Sequence, residues 1–221
     1  MECKTMIPEK SLNYDLPDSY ENIKKTLTTA DQILSDAVGN AKTLFHSPTV
    51  SSIEDSKIVS RVMVLREFDL EKRLMRFHTD YRAPKIKQFK NNSVASVVGY
   101  DPILKVQIKL QGNIEPHYQN SVTRNAWDGS TTRSKKCYSV KGGSSFKIDN
   151  PRKYDLKDGN IDDGYINFAV LIFTFDSLEF LHLKSSGHRR ALHSWDSNLN
   201  STWLVHKVCF QLCNILKSFI L

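Results

Sequence analysis

Residues 166–175 read Ile-Asn-Phe-Ala-Val-Leu-Ile-Phe-Thr-Phe, the most continuous apolar run in the chain. A run of this length, rich in aromatic and β-branched residues, predicts a fully buried strand. It falls well short of the ~18 unbroken apolar residues that a spanning helix needs, and no other stretch approaches them.

More strands are expected around it. Ile58–Arg66 is rich in β-branched residues, and Arg73–Thr79 is its expected hairpin partner across a short connection. There Leu74, Arg76 and His78 alternate with Met75, Phe77 and Thr79, the period of two that a strand imposes. Segments 93–100 and 104–115 predict two more strands, the second placing Val106, Ile108 and Leu110 on one face and Lys105, Gln107 and Lys109 on the other. Leu178–Leu183 and the segment around Trp195 predict a second hairpin.

Helices are fewer. Residues 18–45 carry apolar positions near a 3.6 period, with Asp18 as the expected cap and Gly39 as a break. Pro84 opens a short helix that Asn91 and Asn92 end, and another is expected over 119–128. Residues 139–164 read as a long surface loop. Strands in hairpin-like succession predict a mainly β chain: an antiparallel barrel or sandwich with helices packed outside.

Composition narrows the class. With 221 residues, 40% hydrophobic, 9 Gly and 7 Pro, this is neither a disordered nor a fibrous chain. Cys3, Cys137, Cys209 and Cys213 form no CxxC pair, and the histidines show no metal-binding spacing. Free thiols, no metal site and a cytoplasmic setting are therefore expected. The N-terminus has no apolar h-region of a secretory signal.

The net charge of +7 favours anionic partners without naming one. A nucleic-acid reading finds no matching motif, so no nucleic-acid partner is expected. Within 61–90, nine Lys and Arg stand against four Asp and Glu. Arg61 lies inside a run expected to be mostly buried, where the strand pattern alone favours a structural ion pair. Lys85 opens the following helix, where free backbone N–H groups and the positive dipole end suit an anion.

At these residues the chain resembles the pyridoxamine 5'-phosphate oxidase-like flavoproteins. Arg61-Val-Met-Val-Leu-Arg66 fits R-x-V-x-L-[KR]; Phe77-His-Thr-Asp-Tyr-Arg-Ala-Pro-Lys85 fits a strand turning into a helix; Gln107-Ile-Lys fits Q-[LVI]-[RK]. The series continues through Trp127, Cys137-Tyr138, Asn167–Val170, Glu179–Leu181 and Gly187–Arg190, covering roughly 18–205. Residues 1–17 then form an N-terminal extension, and 206–221 a tail read as an amphipathic helix.

The resemblance implies a split β-barrel that forms a homodimer with FMN in clefts between subunits. It implies Arg61 and Lys85 on the FMN phosphate, Val62, Met63, Val64 and Leu65 along the ring, and Arg66 near the ring's reactive side. It also implies His78 and Thr79 at the ribityl-phosphate region, Gln107 on the flavin, and Ser134, His188 and Arg190 toward a substrate, with Ser144 as a further phosphate-side residue. The activity implied is hydride transfer between flavin and a small substrate; the alternative is a flavin carrier or sensor without turnover.

Departures bear on substrate. The oxidases' Y-x-x-x-R-x-x-x-S clamp for a substrate phosphate reads here as Ala126, Ser130 and Ser134, without the arginine. Their R-x-H-x-R reads as His188-x-Arg190-x-Leu192, without the last arginine. Flavin binding is therefore expected to survive better than oxidation of the vitamin.

Overall fold

The structure, a computed structural model, describes residues 16–143, 145–150, 152 and 161–205. The tail at 206–221, Cys3, Cys209, Cys213, Ser144 and most of the N-terminal extension lie outside the described residues.

Nine strands form one antiparallel sheet: β1 (Thr49–Glu54), β2 (Lys57–Val62), β3 (Leu65–Asp69), β4 (Leu74–Asp80), β5 (Val94–Asp101), β6 (Val106–Tyr118), β7 (Phe168–His182), β8 (Arg189–Trp195) and β9 (Leu199–Leu204). Their order is β2-β1-β5-β6-β7-β4-β3, with β8 and β9 joined to β7. Among the described residues four α-helices accompany them: α1 (Ile23–Gly39), α2 (Pro84–Asn91), α3 (Ser121–Asp128) and α4 (Thr132–Lys136).

The apolar run that opened the sequence reading is the spine of this sheet. β7 continues through Asp176-Ser177 as one 15-residue strand, so the two strands expected here are one. The junction between the two expected strands is a bulge: Gln111 faces Ser177 and Gly112 faces Phe175, leaving Asp176 unopposed. β6 pairs with β7 along its whole length. The other edge of β7 is divided, its first half pairing with β4 and its second half with β8. That division splits the barrel.

Gly112 is required at the bulge. A Cβ there would press on the Thr174 carbonyl oxygen and stand 2.6 Å from the Cα of Phe175, so two backbones meet where only hydrogen fits.

A second correction concerns Ile58–Arg66. It is broken at Met63-Val64, and its halves pair differently: β2 with β1, β3 with β4. β2 has no second neighbour, so it is an exposed edge, with Ile58 at 79% and Val62 at 65% relative exposure. β1 and β9 were not foreseen, because Thr49–Glu54 and Leu199–Leu204 are rich in Ser, Thr and Asn. The first helix starts later than expected, at an Asn22 cap that accepts from the Lys24 N–H, and it ends at Gly39.

α1 buries Ala30, Ile33, Leu34 and Ala37 against the barrel core, which Phe45, Phe77, Phe173 and Phe180 fill. A polar chain inside the packing fixes its register. Thr26 donates its hydroxyl proton to the Ile23 carbonyl at 2.7 Å, so His193 Nε2 must donate to Thr26 Oγ1 at 2.8 Å. His193 Nδ1 then accepts from the Ser201 hydroxyl at 2.8 Å. The imidazole is fully buried, and that burial lowers its pKa from 6.5 to about 4.

Between those two values the unfolded chain binds a proton that the native chain refuses, so stability falls as pH drops from 6.5 toward 4. The expected loss is about 3 kcal/mol at one pKa unit per ~1.4 kcal/mol. Urea unfolding midpoints at pH 7 and pH 4 measure it together with the like contribution of half-buried His78, whose pKa is lowered to about 3, and the difference between wild type and His193→Gln isolates the His193 part.

Candidate functional site

β4 serves two polar groups on opposite sides, because neighbouring residues of a strand point to opposite faces. Met75, Phe77 and Thr79 face inward and are buried, while Arg76, His78 and Asp80 face the other way. The expected alternation holds.

On the inward side, Lys85 Nζ donates to Thr79 Oγ1 at 3.2 Å. Pro84 occupies the first turn of α2 and no side chain caps that end, so Lys85 stands beside uncapped helix N–H groups. Arg61 reaches the same helix from β2, donating through Nη2 to Gln88 Oε1 at 2.7 Å and through Nη1 to the Val50 carbonyl at 3.3 Å. Its guanidinium lies 5.8 Å from the centroid of the Phe89 ring. Ser52 also donates to Gln88 Oε1, at 2.7 Å, while Gln88 Nε2 donates to Glu54 at 3.0 Å.

The ion pair favoured for Arg61 from strand pattern alone is therefore absent. Neither Arg61 nor Lys85 has a carboxylate within 4 Å among the described residues. Arg61 instead uses neutral acceptors, which its edge position on β2 permits. Burial lowers the pKa of both cations, and the charge of Arg61 adds to the lowering at Lys85. Glu54 and Asp80 act in the opposite sense at longer range, and two half-buried cations in no direct ion pair favour an anion.

On the outward side, Arg66 from β3 meets Arg76 and His78 from β4 in a hollow of about 230 Å³. Ser130, Thr131 and Ser134 from the α3–α4 corner form the opposite wall. Thr131 donates to Ser134 Oγ at 3.1 Å and Ser130 to the Ala126 carbonyl at 2.7 Å, so those hydroxyl protons are already engaged. The strand side is not satisfied: Arg66 Nε, Arg76 Nε and His78 Nε2 are buried without a hydrogen-bond partner. Burial, then the charges of Arg76 and Arg66, bring the His78 pKa down to about 3. The Tyr138 hydroxyl nearby is pushed up to about 12, mainly by burial.

The remaining expected residues are dispersed. Val62 is exposed at the end of β2, Met63 is buried with its N–H on the Pro48 carbonyl at 3.0 Å, and Leu65 is in the core. Val64 lies at the break between β2 and β3. Gln107 sits half-buried on β6 between Tyr100 and Leu181. His188 lies in the β7–β8 turn, its Nδ1 accepting from the Lys184 N–H at 3.0 Å. Arg190 pairs with Glu179 at 2.8 Å, and Glu179 also takes Lys109 at 3.2 Å.

Three contributors escaped the sequence reading. Gln88 was only part of a motif, Glu179 carried no assigned role, and Arg76 was counted as charge although its alternation with His78 already placed both on one face. Among the described residues, no group of three or more His, Cys, Asp or Glu is placed to hold a metal. No described helix is long and apolar enough to cross a membrane.

Comparison with known proteins gives this geometry a context. Residues 28–117 match the family described as pyridoxamine 5'-phosphate oxidase, FMN-binding domain. No curated protein matches the chain by sequence. Among solved structures, a pyridoxamine 5'-phosphate oxidase-related, FMN binding protein from Nostoc punctiforme PCC 73102 aligns at 15% identity and a TM-score of 0.66, covering 85% of this chain and all of that one. PhzG from Burkholderia lata 383, solved with tetrahydrophenazine-1-carboxylic acid, aligns at 18% identity and a TM-score of 0.64, covering 89% of this chain and all of that one. At these identities the two structures establish the fold. The chain thus resembles the pyridoxamine 5'-phosphate oxidase FMN-binding domain in sequence over residues 28–117 and shares the fold of these two solved structures.

Proposed function

We propose that the chain binds FMN and acts as an oxidoreductase on a small substrate. The observation that carries this is the pair of cations at Arg61 and Lys85, half-buried and in no direct ion pair among the described residues, with Arg61 lowering the Lys85 pKa and Glu54 and Asp80 acting on them only at longer range. A phosphate dianion answers both: the guanidinium fork offers paired N–H donors, and the ammonium offers charge at a helix start. Thr79 and Gln88, already bonded to these cations, hold them in place.

When bound, FMN supplies two-electron redox chemistry, so the protein has to orient, neutralise and exclude water. The break at Met63-Val64 leaves backbone beside Arg61 and Arg66 for the ring edge, with Gln107 as a further contact. Ser134 faces the outward hollow, where a substrate group would be held.

A homodimer suits the surface, since Ile58 and Val62 on β2, Val94 on β5 and nearby Leu44 are large apolar side chains exposed in the single chain. A second copy laid over them would also close the flavin cleft. The exposed free thiol of Cys137 suits a reducing, cytoplasmic setting.

A carrier or sensor without turnover is the second reading. What favours it is Arg190: Glu179 neutralises it, and Leu192 follows where the oxidases have arginine. The two separate in one preparation. A yellow protein bleached by substrate, with acceptor reduced, is an enzyme; one bleached only by dithionite is a carrier. A colourless chain that takes up no added FMN overturns both.

A further inference from the structure

Arg61 on β2 and Glu54 on the neighbouring β1 do not touch, because a glutamine stands between them. Gln88, on the buried face of α2, accepts at Oε1 from Arg61 Nη2 at 2.7 Å and donates through Nε2 to Glu54 Oε2 at 3.0 Å. Chemistry dictates which way this amide points. A guanidinium only donates and an ionised carboxylate only accepts, so the reversed amide would set donor against donor and acceptor against acceptor. The hydroxyl of buried Ser52 donates to the same Oε1 at 2.7 Å, and Gln88 itself is 5% exposed, so packing and bonding fix the bridge together.

The bridge matters for the distance it imposes. A guanidinium has five N–H donors; among the described residues Arg61 gives one from Nη2 to Gln88 and one from Nη1 to the Val50 carbonyl, and both acceptors are neutral. Glu54 raises the pKa of Arg61 against the lowering by burial, but it acts across the amide and not in contact. A carboxylate in contact would fill the fork and cancel its charge. Held one amide away, the guanidinium keeps its charge and its remaining N–H groups.

We propose that Gln88 is a positioning residue: it spaces Arg61 from Glu54 and so keeps the guanidinium fixed and uncancelled for the flavin phosphate. This role rests on the flavin reading for the identity of the anion, and on the hydrogen bonds alone for the spacing. Gln88 need not touch the ligand to govern its affinity.

The test compares FMN with riboflavin, which carries the same ring without the phosphate, by fluorescence titration of the full chain. Gln88→Met keeps the side-chain length and removes the amide. It should weaken FMN ~10-fold or more, the worth of a hydrogen bond to a charged group, and leave riboflavin within ~2-fold. A packing role would move both ligands together. Gln88→Glu, which brings a carboxylate onto Arg61, should lose FMN at least as strongly and again spare riboflavin. A double-mutant cycle reads the spacing itself: Glu54→Gln should improve FMN binding ~3-fold or more further in the Gln88→Met background than in the wild type, because only there can Arg61 reach the acid.

FMN and riboflavin weakened alike, or Glu54→Gln worth the same in both backgrounds, overturns the assignment. Should Gln88→Met fail to fold by circular dichroism, the ratio of FMN to riboflavin affinity in Gln88→Glu decides it. Should neither fold, inorganic phosphate titrated into the wild type decides: a shift of the Gln88 side-chain amide signal in NMR supports the role, and an unmoved signal overturns it. A wild type that takes up neither flavin sinks the flavin reading and this role with it, whereas variants that bind FMN like the wild type sink only this role.

Discussion

Arg61→Ala combined with Lys85→Ala yields a folded protein that no longer retains FMN, with affinity reduced at least ~100-fold. Each side chain offers a charge-assisted hydrogen bond to the phosphate, and such bonds contribute about 1.5–3 kcal/mol apiece. Removing both forfeits more than the ~2.7 kcal/mol that separates a hundredfold change in affinity. Folding should be spared, because the substitutions remove two half-buried cations whose burial is unfavourable and which make no direct ion pair among the described residues. Fluorescence titration with FMN measures the first effect, and thermal unfolding without FMN measures the second. A double variant that binds FMN normally would falsify the phosphate assignment. Arg61→Lys alone should recover only part of the affinity, because an ammonium cannot bond Gln88, Val50 and a phosphate in the same fork.

Gly112→Val is expected to damage the fold more than any other single change in the barrel. Any side chain at this position meets the Thr174 carbonyl and the Phe175 Cα, and backbone cannot swing aside as a side-chain tip can. The only relief is to separate β6 from β7 at the bulge where Gln111 and Gly112 change register. Those are the two longest strands, and Phe173 and Phe175 beside the contact are in the core. Overpacking of this kind costs roughly 1–3 kcal/mol when it can relax, and more when the obstruction is backbone. For a chain of this size that amounts to a fall in Tm of about 10 °C or a failure to accumulate folded protein. Differential scanning fluorimetry decides it, and an unchanged Tm would mean the two strands are not locked together here.

The sequence announced the parts whose signals are local. Pro84 and Asn91 bracket α2 because each limits the backbone directly, and β4 revealed its two faces because alternation needs no knowledge of neighbours. Partnerships were harder to read. Ile58–Arg66 looks continuous in β-branched residues, yet Met63-Val64 leaves one side of the barrel for another, a change no residue in the run signals. Asp176-Ser177 ends the apolar pattern without ending the strand, because a bulge places an extra residue outside the pairing. Arg61 looks like an ion-pair residue because its run reads as mostly buried; only the sheet order shows an edge with neutral acceptors.

Family resemblance placed Thr79 and His78 in one region, whereas the pleat sends their side chains to Lys85 and to Arg66 respectively. Arg76 was hidden for a different reason. Its importance depends on what Glu67 leaves unsatisfied, a quantity that exists only after folding.

The pleat of β4 also bears on how such a chain can diversify. With Thr79 and His78 adjacent in sequence but back to back in space, mutations at 76 and 78 can rewrite one recognition surface while the other stays intact. A lineage could thus retune one face of the strand through a handful of codons without disturbing what the other face holds.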